Sequence, residues 1–266
     1  MPIFAPFSYL ANPIAAPTPA WDPSDFTNVQ YWWRADSGVT TGTGGVSNWV
    51  DQINSFDLKQ TVSGDRPSET TNANLNSKEV ISFNGSTDFL TTEATPASRT
   101  GDFMILMVYS FSSTTPGNGL IGGTSQFAGG GAGRIWLDGL NGNQRLFSQG
   151  LGATGNLATT VESGITTGAH AFFTKYDASA GDLFYALDTL TESTSGTAGN
   201  TNQGWLTNST VAVGAAVTSA TNNSIFLNRH CQVDIAELVY VYDSPTSTEM
   251  DEWETYVNTR YGTIIS

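Results

Sequence analysis

From Tyr31 to Tyr242 apolar and polar positions alternate with a period of two, the pattern of strands that bury one face. Tyr31, Trp33 and Ala35 fall on one side of the first extended segment, and Trp32, Arg34 and Asp36 on the other. Further strands are predicted at Val46 to Val50, Asp57 to Gln60, Val80 to Phe83, Phe89 to Thr91, Phe103 to Phe111 and Gly119 to Gly122. The series continues with Arg134 to Asp138, Arg145 to Ser148, Ala169 to Tyr176, Leu183 to Asp188, Thr210 to Ala215 and Val233 to Tyr242. The Phe103 segment is apolar on both faces, with Phe103, Ile105, Met107 and Tyr109 against Met104, Leu106 and Val108. That predicts a central strand with a second layer packed on its far side. Gly, Asn, Asp and Ser separate the segments, and Thr189 to Asn208 reads as a long exposed loop.

The period changes once. Thr246 after Pro245, with Glu249 three residues on, forms a capping box, and Met250, Trp253, Tyr256, Val257 and Tyr261 then recur at helical spacing up to Gly262. The apolar stripe of this C-terminal helix is expected to cover the second face of the Phe103 strand. Many short strands and one helix in 266 residues predict a single all-β sandwich of the jelly-roll type. The expected division is an extended Pro-rich arm over residues 1–27 and the sandwich over 28–266.

Charge narrows the partners. With 24 acidic against 10 basic residues the chain carries a net charge of -14, which repels phosphate backbones and argues against nucleic acid. No apolar stretch approaches the roughly 20 residues of a membrane helix. The single cysteine, Cys231, lies beside a strand pattern that suits a packed small hydrophobe, and a chain without disulfides suits a reducing cytosol.

The arm is distinctive. Pro2, Pro6, Pro13, Pro17, Pro19 and Pro23 interleave with Ile3, Phe4, Phe7, Tyr9, Leu10 and Ile14, and the segment lacks the basic start and unbroken apolar core of a secretory signal. The prolines bar a helix, and each large apolar side chain is worth roughly 1.5–3 kcal/mol when buried, so the arm is expected to fasten the chain to a partner.

Three stretches in order resemble the concanavalin A-like lectin/glucanase (laminin G-like jelly-roll) domains of bacterial and phage surface proteins. The first runs through Trp33-Arg-Ala-Asp-Ser37, Val46-Ser-Asn-Trp-Val-Asp51, Arg66-Pro67, Val80-Ile-Ser-Phe-Asn-Gly85 and Asp88-Phe-Leu90. The second is His170-Ala-Phe-Phe-Thr-Lys-Tyr-Asp177 with Gly181-Asp-Leu-Phe-Tyr-Ala-Leu-Asp188, and the third is Asp234-Ile-Ala-Glu-Leu-Val-Tyr-Val-Tyr-Asp243 running into the terminal helix. The resemblance implies a concanavalin A-like jelly roll; its signatures are architectural and name no ligand.

The family also includes glycoside hydrolases, whose retaining members place two carboxylates about 5–5.5 Å apart. The string Glu249-Met-Asp251-Glu252-Trp-Glu254 supplies carboxylates but lies on the terminal helix, where Glu249 caps the first turn and the others should face water. Glu237 alternates with Val233, Ile235, Val239 and Val241 on an apolar strand face and needs a partner there; a salt bridge to Arg34 or Arg66 is expected. No second carboxylate shares that face, so the chain is not expected to be an enzyme. His170 and His230 stand apart from metal-ligand spacing, and Gly129 to Gly133 is a turn without the features of a phosphate loop. No cofactor is expected, although calcium, which related domains hold near their sugar site, would find oxygen ligands at Asp138, Asn141 and Asn143 or at Asp177 and Asp182.

Sugar binding needs an aromatic plate for the C–H face of a pyranose and amide or carboxylate groups for its hydroxyls. Trp136 with Asp138, Asn141 and Asn143 offers that mixture, as does Trp205 with Asn202 and Asn208. Arm and scaffold together suggest a structural, decoration or appendage protein of a bacteriophage virion. It would be made in the host cytoplasm, anchored by the arm to other virion proteins, homo-oligomeric and displayed outward towards host glycans. The alternatives are a free bacterial lectin-like module and, less favoured, a polysaccharide hydrolase.

Overall fold

The computed structural model describes residues 20–92, 101–125, 134–139, 144–149, 156–180, 182–197, 209–219 and 224–266. The strands are β1 (Val29–Arg34), β2 (Val39–Gly42), β3 (Gly45–Trp49), β4 (Leu58–Lys59), β5 (Ser68–Asn72), β6 (Lys78–Asn84) and β7 (Leu90–Thr92). Next come β8 (Phe103–Phe111), β9 (Gly117–Ser125), β10 (Arg134–Gly139), β11 (Gln144–Gln149), β12 (Asn156–Glu162) and β13 (Gly168–Asp177). Then follow β14 (Asp182–Leu187), β15 (Ser193–Thr197), β16 (Ser209–Val213), β17 (Ala215–Ser219), β18 (Ser224–His230) and β19 (Gln232–Tyr242). The helix α1 (Ser247–Tyr261) comes last.

Two antiparallel sheets form the sandwich. Sheet A runs β15-β14-β13-β8-β19-β6-β5, with β1 also paired to β19, and sheet B runs β12-β11-β10-β9-β16-β7-β4-β3-β2. Between them, Tyr31, Trp33, Met107, Tyr109 and Tyr240 of sheet A meet Val46, Trp49, Leu58, Leu90, Ile121 and Val213 of sheet B. On the far side of sheet A, Met104, Leu106, Val108, Val239 and Val241 meet Trp253, Val257 and Tyr261 of α1. The two-faced burial of β8 thus has the cause read from its sequence, and Trp32 lies on the helix side while Trp33 lies in the sandwich.

The helix begins where its capping box places it. The Thr246 hydroxyl accepts from the Glu249 amide at 3.2 Å, and Glu249 returns the bond to the Thr246 amide at 2.7 Å. Glu249 also accepts from the Thr27 amide and hydroxyl at 2.7 and 2.8 Å, tying the helix start to the entry of β1. Burial pushes the Glu249 carboxyl up, but these bonds from Thr246 and Thr27 outweigh it and bring it down to about 2. Trp21 and Phe26, the last large side chains of the segment expected as arm, pack on this helix layer, their rings 5.0 Å apart edge to face.

Two expectations are corrected. The stretch Thr189 to Asn208 is not wholly loop, for β15 within it pairs with β14 as the edge strand of sheet A, and residues 198–208 lie outside the described residues. The alternation along β19 also breaks at a bulge between Ile235 and Glu237. Val233 and Ile235 therefore face the sandwich, while Glu237 faces the helix with Val239 and Val241. At this bulge the edge partner of β19 changes from β6 to β1, and the Ala35 amide donates to the Ala236 carbonyl at 2.9 Å.

Between β16 and β17 the chain turns at Gly214 with φ 81. A Cβ at this glycine would run into the Phe83 ring, so a positive φ and lack of space coincide. The Gly214→Ala chain is expected to lose about 2–4 kcal/mol of unfolding free energy, measured by chemical denaturation.

Candidate functional site

Glu237 is 0% exposed and occupies the centre of the layer between sheet A and α1. The Trp32 indole N–H donates to Oε1 at 2.5 Å, the Tyr261 hydroxyl donates to Oε2 at 2.5 Å, and the Tyr256 hydroxyl lies 2.9 and 3.1 Å from the two oxygens. The expected salt bridge to Arg34 or Arg66 is absent. Arg66 instead donates to the carbonyls of Gln60, Thr43 and Thr61, and Arg34 donates through Nε to Asp36 at 2.5 Å. Three neutral donors satisfy the carboxyl without the cost of burying a second charge. Burial pushes the carboxyl up, partly offset by the bonds from Tyr261, Trp32 and Tyr256, to about 7.

Above this centre lies a cationic rim. Asp36 bridges the guanidiniums of Arg34 and Arg260, and Arg260 Nε donates to the Tyr261 hydroxyl at 3.2 Å. Arg260, Tyr261 and Glu237 thus form a hydrogen-bonded chain from the surface inward. With its oxygens occupied and no exposed surface, Glu237 is built to hold the helix on the sheet and cannot reach a substrate.

The predicted sugar residues lie on the other sheet. Trp136 pairs in register with Phe147 of β11 and Gly122 of β9, and Asp138 pairs with Arg145. The neighbouring row contains Leu137 and Leu146, continued by Ile121 and Val213, and the last two belong to the sandwich core. Trp136 thus stands at the register position of Gly122 and Ala212, next to the row of Ile121 and Val213. Asn141, Asn143 and Trp205 lie outside the described residues, as do the arm residues Ile3, Phe4, Phe7, Tyr9, Leu10 and Ile14.

The remaining candidates are architectural where described. Cys231 is buried, and His170 is buried with Nδ1 2.8 Å from Asp188 Oδ2. Of the calcium candidates, Asp177 spends Oδ1 on the Ser179 hydroxyl and on the amides of Ser179 and Ala180, shaping its own turn; these bonds, the Ser179 hydroxyl first, lower its pKa. Among the described residues no three His, Cys, Asp or Glu side chains come together as a metal cage. No described helix is long and apolar enough to cross a membrane.

No protein-family model matches the chain, and no curated protein matches it by sequence. Solved structures match it by shape. An arabinofuranosidase complexed with arabinofuranosyl-alpha-1,2-xylobiose superposes with a TM-score of 0.55 at 11% identity, covering 91% of this chain and 60% of that one. The native heptameric SAP-like pentraxin from Limulus polyphemus gives 0.50 at 13% identity, covering 70% of this chain and 86% of that one. Botulinum neurotoxin type C, whose cell entry is dependent upon interaction with two ganglioside molecules, gives 0.51 at 8% identity, covering 87% of this chain and 51% of that one. This chain thus spans less than two thirds of the arabinofuranosidase chain that it resembles. Two antiparallel sheets in this order, closed on one side by a terminal helix, and these likenesses give the chain the concanavalin A-like jelly-roll fold.

Proposed function

We propose that the chain is a non-catalytic glycan-binding module that offers the β10–β11 hairpin of sheet B to a saccharide. The observation that supports this reading is the register of β10, in which Trp136 alternates with Leu137, whose row continues through the core residues Ile121 and Val213, while α1 closes the outer face of sheet A. An indole supplies the flat apolar plate that a pyranose C–H face prefers, and Asp138, Asn141 and Asn143 would supply acceptors and donors for hydroxyls. Trp205 is a second plate in the proposed set. The sealed position of Glu237 favours binding over hydrolysis. On a glycan array, binding of micromolar strength is expected, and Trp136→Ala should weaken the best ligand by about tenfold or more. No ligand on a broad array, or unchanged binding by the variant, would contradict the reading.

The same module is proposed to be carried on a bacteriophage particle, held to other virion proteins by its N-terminal segment. What supports this is the run of Ile3, Phe4, Phe7, Tyr9, Leu10 and Ile14 between prolines, together with the acidic surface and the single, buried cysteine. Trp21 and Phe26 pack on the domain, so the shortened chain to test lacks residues 1–19 only. It should fold and bind glycan but stay out of particles; incorporation at the normal level would favour the free lectin-like module instead.

A further inference from the structure

A cleft of about 620 Å³ opens on the helix side of sheet A, lined by Ala20 to Asp22, Arg34, Lys78 and the outward turns of α1. This lies within the roughly 300–1,000 Å³ of small-molecule sites. Its walls include Trp21 and Tyr256, whose ring centroids are 6.0 Å apart, and three of the chain's ten basic side chains, Arg34, Lys78 and Arg260. In a chain with ten basic residues and a net charge of -14, such a concentration of cations is unusual. The carboxylates of the lining are Asp22 and Glu252, and Asp22 is committed to the Ser24 amide and hydroxyl at 2.9 and 2.5 Å.

The two guanidiniums are held in place by a shared carboxylate. Asp36 holds Arg34 and Arg260 together, offsetting one positive charge of the two. Arg34 spends Nε there, and Arg260 spends Nε on Tyr261 and one Nη on Asp36, which leaves Arg260 with a further N–H pair. Lys78 makes no ion pair among the described residues.

We infer that this cleft is a second saccharide site, distinct from the β10–β11 face, that takes a sugar unit bearing a carboxylate. Arg260, Arg34 and Lys78 hold the carboxylate, and Trp21 and Tyr256 line the apolar face of the ring. A bare anion would engage the cations alone and leave the aromatic walls unused, whereas a neutral sugar would leave the cations unused. The inference rests on the glycan-binding reading for its ligand class, but on separate residues.

The test is calorimetric titration of the full chain with trigalacturonate, its fully methyl-esterified form and inorganic phosphate. The acid should bind about tenfold more tightly than the ester. Lys78→Gln should weaken the acid roughly threefold and Glu252→Gln should strengthen it by a similar factor, the size of an exposed charge effect. Both variants keep the far-UV spectrum, because neither side chain has a described partner, and Trp136→Ala should leave trigalacturonate binding unchanged. Equal affinity for acid and ester, an unresponsive Lys78→Gln, or displacement of the trisaccharide by equimolar phosphate would overturn the inference. Neutral glycans bound through Trp136 with no trigalacturonate binding would sink this site alone, and loss of both kinds of binding would sink both readings.

Discussion

Replacing Glu237 with leucine is expected to lower the unfolding free energy by about 3–5 kcal/mol, although the new side chain is apolar and of similar length. The loss arises because the Trp32 indole N–H and the hydroxyls of Tyr256 and Tyr261 all converge on the one carboxyl and would remain buried without an acceptor. Glu237→Gln keeps one acceptor oxygen and should cost less. The two variants also part company in pH dependence. Burial, resisted by the three donors, sets the folded-state carboxyl at about 7 against an ordinary 4.5, so between those values the native state holds a proton that the unfolded chain has released. The contribution of this group is therefore fully present below the ordinary value and is lost as pH rises through about 7, by on the order of 3 kcal/mol. Denaturation curves at pH 5 and pH 8 should show the gap between the native chain and Glu237→Gln shrinking towards the higher pH. A gap that widened instead would mean that the carboxyl is held ionised.

Trp253→Ala should cost a further large amount, about 3–5 kcal/mol. Trp253 is 1% exposed and fills the layer beneath α1, stacked 5.9 Å from Tyr256 and tilted against Phe26 at 6.4 Å. Its loss opens a void over Leu106 and Val239 and loosens the one helix that covers the outer face of β8. The expected readouts are a lowered denaturation midpoint and dye binding to newly exposed apolar surface, measured beside the native chain. A shift below about 1 kcal/mol would mean that the helix is an ornament on a sandwich that is stable without it.

The strands that carry alternating large side chains were legible because one buried face imposes the period. β8 matches its expected bounds from Phe103 to Phe111, and β19, β13 and α1 match to within a residue or two. Edges and bulges leave no such period. β5, with Ser68 to Thr71 all exposed, and β15 carry almost no apolar residues, since an edge strand can be polar on both faces and still pair its backbone. The bulge at Ala236 has no glycine to announce it, and it moved Glu237 from the sandwich face to the helix face. Its partners are hidden for a related reason: spacing marks Tyr256 and Tyr261 only as part of the apolar stripe and Trp32 only as a neighbour of Arg34 and Asp36, although each brings a donor that a buried carboxyl can use. The cleft could not be found by spacing at all, because Trp21, Arg34, Lys78 and Arg260 come from four distant segments. The only hint was the scarcity of basic residues, which makes any gathering of three informative.

The most direct measurement is an experimental structure of the full chain with the best-binding neutral glycan from the array. The expected result is a sugar ring seated on sheet B at Trp136, with Asp138 within hydrogen-bonding distance of its hydroxyls and Glu237 still closed beneath the helix. A sugar lodged against Glu237 with Tyr256 and Tyr261 displaced, or bound elsewhere with Trp136 untouched, would contradict the assignment of this jelly roll as a binding module that uses sheet B.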